Sequence, residues 1–166
     1  MPDTTGKKQK QKKKKILVSL SVMTLASLGS VGQVGAQTIN CPQPLSYGNI
    51  VTCGVAGSVT VTPSGTRSMT GCLSSGGAPF SNGRCIVTQS FPFRPIQISV
   101  PASAVITNGT SSMAINNFNL ITDAGGATVT RTAPLVNIPL GADMSVGASQ
   151  PGGSYSGTVT ITATLQ

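Results

Sequence analysis

Apolar and polar side chains alternate along the last fourteen residues of the chain, from 153 to 166. Successive side chains of a β-strand point to opposite faces, so this alternation predicts a long strand with one buried face and one face lined by hydroxyl groups. The residues predicted to share the buried face are Gly153, Tyr155, Gly157, Val159, Ile161, Ala163 and Leu165.

The same two-residue period runs from about residue 45 onward and is broken by turn residues roughly every eight to twelve positions. No segment sustains the periodicity of a helix. Further strands are predicted at 58–62, 67–73, 85–88, 96–100, 113–121, 128–132 and 135–138. Many short strands with regularly spaced turns favour an all-β sandwich.

The first 36 residues have the pattern of a secretory signal. A basic stretch from Lys7 to Lys15 precedes an apolar run of 13 residues at 16–28, and small residues then lead to Ala36. This order predicts a signal peptide at 1–36, cut after Ala36, and a single domain at 37–166. A membrane-spanning helix needs about 20 apolar residues, so we expect contact with a membrane only during export.

Removal of the signal changes the charge of the protein. All seven lysines precede the predicted cut, and the exported part keeps four arginines and two aspartates, a net charge of +2. The basic cluster that would attract phosphates is discarded, so we expect no nucleic-acid partner. A weakly charged surface has little same-sign repulsion between molecules, which favours assembly.

Four cysteines, Cys41, Cys53, Cys72 and Cys85, follow the predicted cut. An even number of cysteines in an exported chain predicts two disulfides, and the sequence leaves three pairings open. Short loops of about a dozen residues favour Cys41 with Cys53 and Cys72 with Cys85. The alternative is a metal site with four thiolates, which the wide spacings and the absence of histidine disfavour. We expect no cofactor.

The residues needed for most acid–base and nucleophilic chemistry are missing from the exported sequence. It contains no histidine and no lysine, which excludes Ser-His-Asp, Cys-His and Ser-Lys arrangements. Asp123 and Asp143 are the only carboxylate pair of the glycosidase kind, but Asp123 lies in an Asp-Ala-Gly-Gly turn, where it bonds the local backbone, and Asp143 is expected to begin a strand. We therefore expect a protein that is not an enzyme.

Two phenylalanines flank a proline in a predicted loop beside an arginine. Phe91, Phe93 and Arg94 either cap one end of the sandwich or form an exposed patch that contacts a neighbouring molecule or a sugar. The argument for the exposed patch is that aromatic residues and arginine are enriched at binding hot spots.

Three segments together resemble one group of bacterial secreted domains. Residues 41–50 (CPQPLSYGNI) resemble a "C…L-x-F-G-x-I" opening, with Tyr47 in place of the Phe. Residues 59–71 (VTVTPSGTRSMTG) resemble a "V-T-V-x-P-x-G-x-R" stretch, and residues 141–157 resemble a closing "G-x-x-L-x-V…Q-x-x-G-x-Y-x-G" segment. The group is an uncharacterised family of pilin-like domains, similar to spore-coat-U-type proteins and to fimbrial subunits assembled by the chaperone-usher route.

The resemblance implies an immunoglobulin-like sandwich that serves as a subunit of a surface fibre, a fimbrium, in cell adhesion. It also implies a periplasmic or cell-surface location in a Gram-negative bacterium, with like subunits, a periplasmic chaperone and an outer-membrane usher as partners. In such subunits the C-terminal strand borders a groove that a neighbour's N-terminal extension fills. Gly153 stands fourteenth from the C-terminus, where many pilins place a glycine.

The donor strand expected from the resemblance is residues 37–47. Ile39, Cys41, Leu45 and Tyr47 share one face of this segment, while Pro42 and Pro44 interrupt its hydrogen-bond ladder. The alternative is a domain complete in itself, acting as a secreted binding module for a carbohydrate or a protein ligand.

Overall fold

The computed structural model describes residues 14–22, 37–121 and 126–166. These residues form an all-β sandwich, as the two-residue period predicts, and contain no helix. The strands are β1 (Lys14–Val22), β2 (Gln37–Gln43), β3 (Leu45–Thr52), β4 (Gly57–Val61), β5 (Arg67–Met69), β6 (Ser74–Ser75), β7 (Gly83–Gln89), β8 (Ile96–Ser99), β9 (Ser103–Thr107), β10 (Ser112–Leu120), β11 (Thr128–Arg131), β12 (Leu135–Val146), β13 (Gly153–Val159) and β14 (Thr162–Leu165).

The strands form one large curled sheet and one small sheet. The large sheet has the order β2-β7-β12-β10-β9-β13-β1-β3-β6, with β4 paired to β12 and β5 paired to β4. The small sheet has the order β11-β8-β14. Among these strands every pairing is antiparallel except that of β1 with β13, which is parallel.

The core consists of the alternate residues of these strands. In β7 the buried positions are every second residue, from Gly83 to Gln89, as period two requires. Tyr47 and Tyr155 are the largest fully buried side chains, and Phe118 is buried with them. Burying one large apolar side chain is worth about 1.5–3 kcal/mol, so these residues contribute much of the stability.

The C-terminal segment is two strands rather than the one long strand that its alternation predicts. Residues 153–159 belong to the large sheet, whereas Thr162–Leu165 pairs with β8 in the small sheet. Burial still alternates through the break, and Val159, Ile161 and Ala163 are all buried. An alternating pattern predicts which side chains are buried but cannot predict that the chain changes its partner strand.

The disulfides join Cys41 to Cys85 and Cys53 to Cys72. The pairing favoured from short loops is therefore wrong. The reason is the sheet, because β2 lies beside β7 with Asn40 opposite Ile86, which brings Cys41 next to Cys85 across 44 residues of sequence. Since both bridges use all four sulfur atoms, the four-thiolate metal site is also ruled out.

Some predictions fall outside the described residues. They concern Asp123 with its turn, the predicted cut after Ala36, and the lysines from Lys7 to Lys13. Among the residues that the structure does describe, no helix is long and apolar enough to cross a membrane.

Candidate strand-addition site

Residues 14–22, which belong to the predicted signal, lie inside the large sheet as β1. Residues 16–22 pair in parallel with residues 153–159 of β13, and residues 14–20 pair antiparallel with β3. We call the position between β3 and β13 the acceptor groove. Its two walls are the facing backbone edges of residues 45–52 and 153–159.

Both walls depend on the strand that lies between them. On its other side, β13 has a single register pair with β9, Ser156 opposite Thr107. On its other side, β3 has two register pairs with β6 and one bridge between Ser46 and Ser81. Because buried backbone N–H and C=O groups need partners, a strand in the groove satisfies most of the hydrogen-bonding capacity of both walls.

At every second position along the groove, one of the two walls has a glycine. Position 16 lies between Ile50 and Gly153, position 18 between Gly48 and Tyr155, and position 20 between Leu45 and Gly157. Cross-strand neighbours directly opposite one another are the side chains that pack together in a sheet. At each of these positions the strand in the groove has a large side chain opposite it on one wall and a glycine on the other.

The wall formed by β13 is braced by the turn before it. The Tyr155 hydroxyl donates a hydrogen bond to the carbonyl oxygen of Pro151 at 2.9 Å and accepts one from Nε2 of Gln150 at 2.9 Å. The Gln150 amide also donates to the carbonyl oxygen of Ser112 at 3.3 Å. These contacts give a structural role to the Gln and Tyr of the closing segment, because the two side chains are hydrogen-bonded to each other.

Gly157 is required by the close approach of β9. A Cβ atom at this position would lie 2.5 Å from the carbonyl oxygen of Val105 and 3.0 Å from Cγ2 of Ile106. Real Cβ atoms do not come so close to a backbone oxygen. The glycine therefore allows β13 to lie this close to β9.

The wall formed by β3 is held from behind by Arg67. Nη1 of Arg67 donates to the carbonyl oxygen of Tyr47 at 2.8 Å, and Nη2 donates to Oγ of Ser75 at 2.7 Å. Its guanidinium also lies 4.6 Å from the centre of the Phe80 ring, a cation–π arrangement. Arg67 thus links the middle segment to the opening segment, a role that the resemblance alone did not indicate.

The hydroxyl of Tyr47 is buried and has no hydrogen-bond partner among the described residues. Burial, and to a smaller extent the negative charge of Asp143, raises the pKa of Tyr47 above its ordinary value. Asp143 lies within β12, not at the start of a strand as expected, and accepts a hydrogen bond from Nδ2 of Asn117 at 2.8 Å. The Tyr47 side chain is therefore uncharged, and it belongs to the wall formed by β3.

The predicted donor segment is already part of the protein's own sheet. Residues 37–43 pair with β7 and are tied to it by the bridge between Cys41 and Cys85. The Gln37 amide also donates to the carbonyl oxygen of Ala163 at 3.1 Å. Leu45 and Tyr47 are fully buried in the core. Residues 37–47 are therefore not free to leave and fill a neighbour's groove.

The predicted surface patch is exposed. Phe91 is 82% exposed and Phe93 is 43% exposed, and their rings meet edge to face with centroids 5.8 Å apart. The loop is fixed by buried Gln89, whose Nε2 donates to the carbonyl oxygens of Arg94 and Ala133, both at 3.0 Å. Oε1 of Gln89 also accepts a hydrogen bond from the Arg94 N–H at 3.2 Å, so both ends of this amide hold the base of the loop. Binding by this loop remains a prediction.

An open cleft lies where the two sheets separate. It has a volume of about 450 Å³ and is lined by hydroxyl side chains of β8, β9, β13 and β14 and by the residues that link them. The hydroxyl groups in its lining belong to Ser99, Ser103, Thr158, Thr160 and Thr162. The sequence pattern predicts a hydroxyl-lined face on the C-terminal segment but does not indicate the cleft, which lies where this segment passes from the large sheet to the small one.

Comparison with known families gives a match over most of the chain. The model of a family described as a domain of unknown function (DUF4402) matches residues 37–164. A comparison with curated proteins found no match.

Proposed function

The chain belongs to the family described as a domain of unknown function (DUF4402), and we propose that it is a non-catalytic structural subunit of a bacterial surface fibre or coat. In this proposal the subunit assembles by β-strand addition at the acceptor groove. The observation that supports it is the place of β1, since the strand that completes the large sheet comes from the part of the chain predicted to be removed.

The energy of the sheet explains why the groove would need another strand. Loss of β1 exposes the backbone edge of residues 153–159 along all seven of its register pairs, and most of the edge of β3 as well. One intramolecular hydrogen bond contributes about 0.5–1.5 kcal/mol, so this exposure costs several kcal/mol in total. Adding a strand to an exposed sheet edge restores these hydrogen bonds, and the pockets for alternate side chains supply specificity.

The disulfides support the proposed location at the periplasm or cell surface. Disulfides form and persist in oxidising compartments and are rare in the cytosol. An exported domain with an exposed edge also aggregates easily, so it needs a partner that covers the edge before assembly. A periplasmic chaperone and an outer-membrane usher would supply that cover. A separate partner chain in the fibre would then supply the permanent strand, because residues 37–47 are held in the domain's own sheet.

The test is addition of a synthetic strand to the exported domain. A peptide of residues 14–22 (KKILVSLSV) should bind residues 37–166 with one peptide per domain and raise the thermal midpoint. The matched control is the same peptide with Val18→Pro and Ser19→Pro, which removes two N–H donors and should have no effect. A peptide of residues 37–47 should also have no effect. A stable monomer that ignores all three peptides would contradict the proposal.

A second function is favoured by the exposed aromatic loop. A rigid pair of phenylalanines beside an arginine suits a self-contained module that binds a carbohydrate or a protein. Replacement of Phe91 and Phe93 by Ser should abolish glycan or surface binding if the loop is the site. Val55→Ser is the control, because Val55 is 57% exposed elsewhere on the surface. Equal glycan or surface binding by both variants would contradict a binding function of this loop.

A further inference from the structure

We propose that residues 14–22 act as a removable plug, which keeps the acceptor groove closed until the chain is cut. Cutting, rather than folding, then makes the groove available to another strand. This inference rests on the proposed function, because it concerns the regulation of the same groove. The occupant is a named segment of this chain, β1, and the event that displaces it is a break in the chain between residues 22 and 37.

The plug covers the whole length of the groove. Its residues 16–22 lie opposite residues 153–159 on one wall, and its residues 14–20 lie opposite Thr52 to Leu45 on the other. Within the described part of the chain, no other strand occupies this position. A second strand can therefore pair with either wall only after β1 has left.

The predicted cut would release β1 and leave β2 in place. The residue after the cut, Gln37, is the first residue of β2, and β2 lies at the far edge of the large sheet. The bridge between Cys41 and Cys85 and the pairing with β7 keep β2 in place. A break after Ala36 thus detaches one strand from the sheet and leaves the new N-terminus anchored.

The covalent connection between β1 and the rest of the chain determines whether the plug remains bound. While residues 14–22 belong to the same chain, their effective concentration at the groove is on the order of 1 mM, as for other short linkers. After the cut the released segment is diluted to the concentration of the protein, and at about 1 μM its local concentration falls about 1000-fold. A strand of moderate affinity is bound before the cut and lost after it, which is the behaviour of a plug.

The experiment compares the intact chain, residues 1–166, with the same preparation cut by signal peptidase. The probe is a fluorescent peptide of residues 14–22. We expect the cut chain, freed of the fragment, to bind the probe at least about 10-fold more tightly than the intact chain does. The intact chain carrying Val18→Pro and Ser19→Pro should bind like the cut chain. The matched control, Thr4→Pro with Thr5→Pro, should bind like the unaltered intact chain.

Hydrogen exchange supplies a second measurement that does not depend on the probe. The amides of residues 153–159 should be protected in the intact chain and should exchange faster after the cut. Equal binding of the probe by intact and cut chains, with unchanged exchange, would overturn the plug and leave strand addition standing. A cut chain that is stable and binds no probe would overturn both the plug and the proposed function.

Discussion

The side-chain amide of Gln150 donates a hydrogen bond to the hydroxyl of Tyr155 across 2.9 Å, and this hydroxyl donates in turn to Pro151. The contact fixes the turn before β13 to the wall of the acceptor groove. Tyr155→Phe removes both bonds of the hydroxyl, and we expect it to lower the free energy of unfolding by about 1–3 kcal/mol. Urea unfolding of residues 37–166 measures this loss, and an unchanged midpoint would contradict the role of the contact.

Tyr47→Phe is the matched control and a prediction in its own right. The Tyr47 hydroxyl is buried without a partner among the described residues, so its removal relieves a desolvation cost. We expect a neutral or slightly higher free energy of unfolding, in contrast to the loss at Tyr155. A loss as large as that of Tyr155→Phe would show that the hydroxyl of Tyr47 has a partner.

Stability should fall at alkaline pH because of Tyr47. In the unfolded chain this phenol ionises near pH 10, whereas burial raises its pKa in the folded protein. The folded state therefore keeps the proton longer, and the stability from this group is complete below about pH 10 and lost as the pH rises further. Urea midpoints measured between pH 9 and 11, about one unit either side of the ordinary value, should fall less steeply in Tyr47→Phe. Identical slopes would exclude Tyr47 as the cause.

Gly157→Ala should destabilise the domain through a steric clash. The added methyl group would meet the carbonyl oxygen of Val105, and overpacking of this kind costs about 1–3 kcal/mol. Gly126→Ala is the control, because among the described residues no atom beyond its chain neighbours lies within 4 Å of the place that its added methyl group would take. Thermal unfolding of the two variants measures the difference. Similar midpoints would mean that β9 and β13 are farther apart than the structure has them.

Arg67→Met should weaken the β3 wall. The change removes hydrogen bonds to the Tyr47 carbonyl oxygen and to Ser75, and we expect a loss of about 1–3 kcal/mol together with weaker binding of the strand peptide. Arg131→Met is the control, since the Arg131 guanidinium is exposed and bonds only to the neighbouring carbonyl oxygen of Thr130 among the described residues. Peptide binding that is equally weak in both variants would point to net charge instead of the wall.

The two disulfides should differ in their contribution to stability. The bridge between Cys41 and Cys85 spans 44 residues and the bridge between Cys53 and Cys72 spans 19. In the chain-entropy model these loops correspond to about 4 and about 3 kcal/mol. Replacement of each pair by Ser, followed by urea unfolding, should give the larger loss for the first pair. Peptide mapping without reduction should recover the same two pairs, and recovery of Cys41 with Cys53 would refute the arrangement.

The sequence predicts burial better than it predicts partners. Alternation places Tyr155, Val159 and Ile161 in the core, because burial follows from the two faces of one strand. It does not predict that β14 joins the small sheet or that Cys41 reaches Cys85, because both depend on strands that are distant in sequence. The strand at residues 14–22 is also not predicted. A short continuous apolar run such as residues 16–28 has no two-residue period, so the sequence indicates only an export signal there.

The direction of β1 has a consequence for mechanical strength. Residues 16–22 lie alongside residues 153–159 over their full length, so tension applied along an inserted strand of this kind is opposed by all of the register pairs at once. Strands loaded in this way must slide past one another before any pair is released, whereas strands pulled apart sideways release one pair at a time. A fibre joined through such grooves would resist stretching along its axis while each joint remained non-covalent.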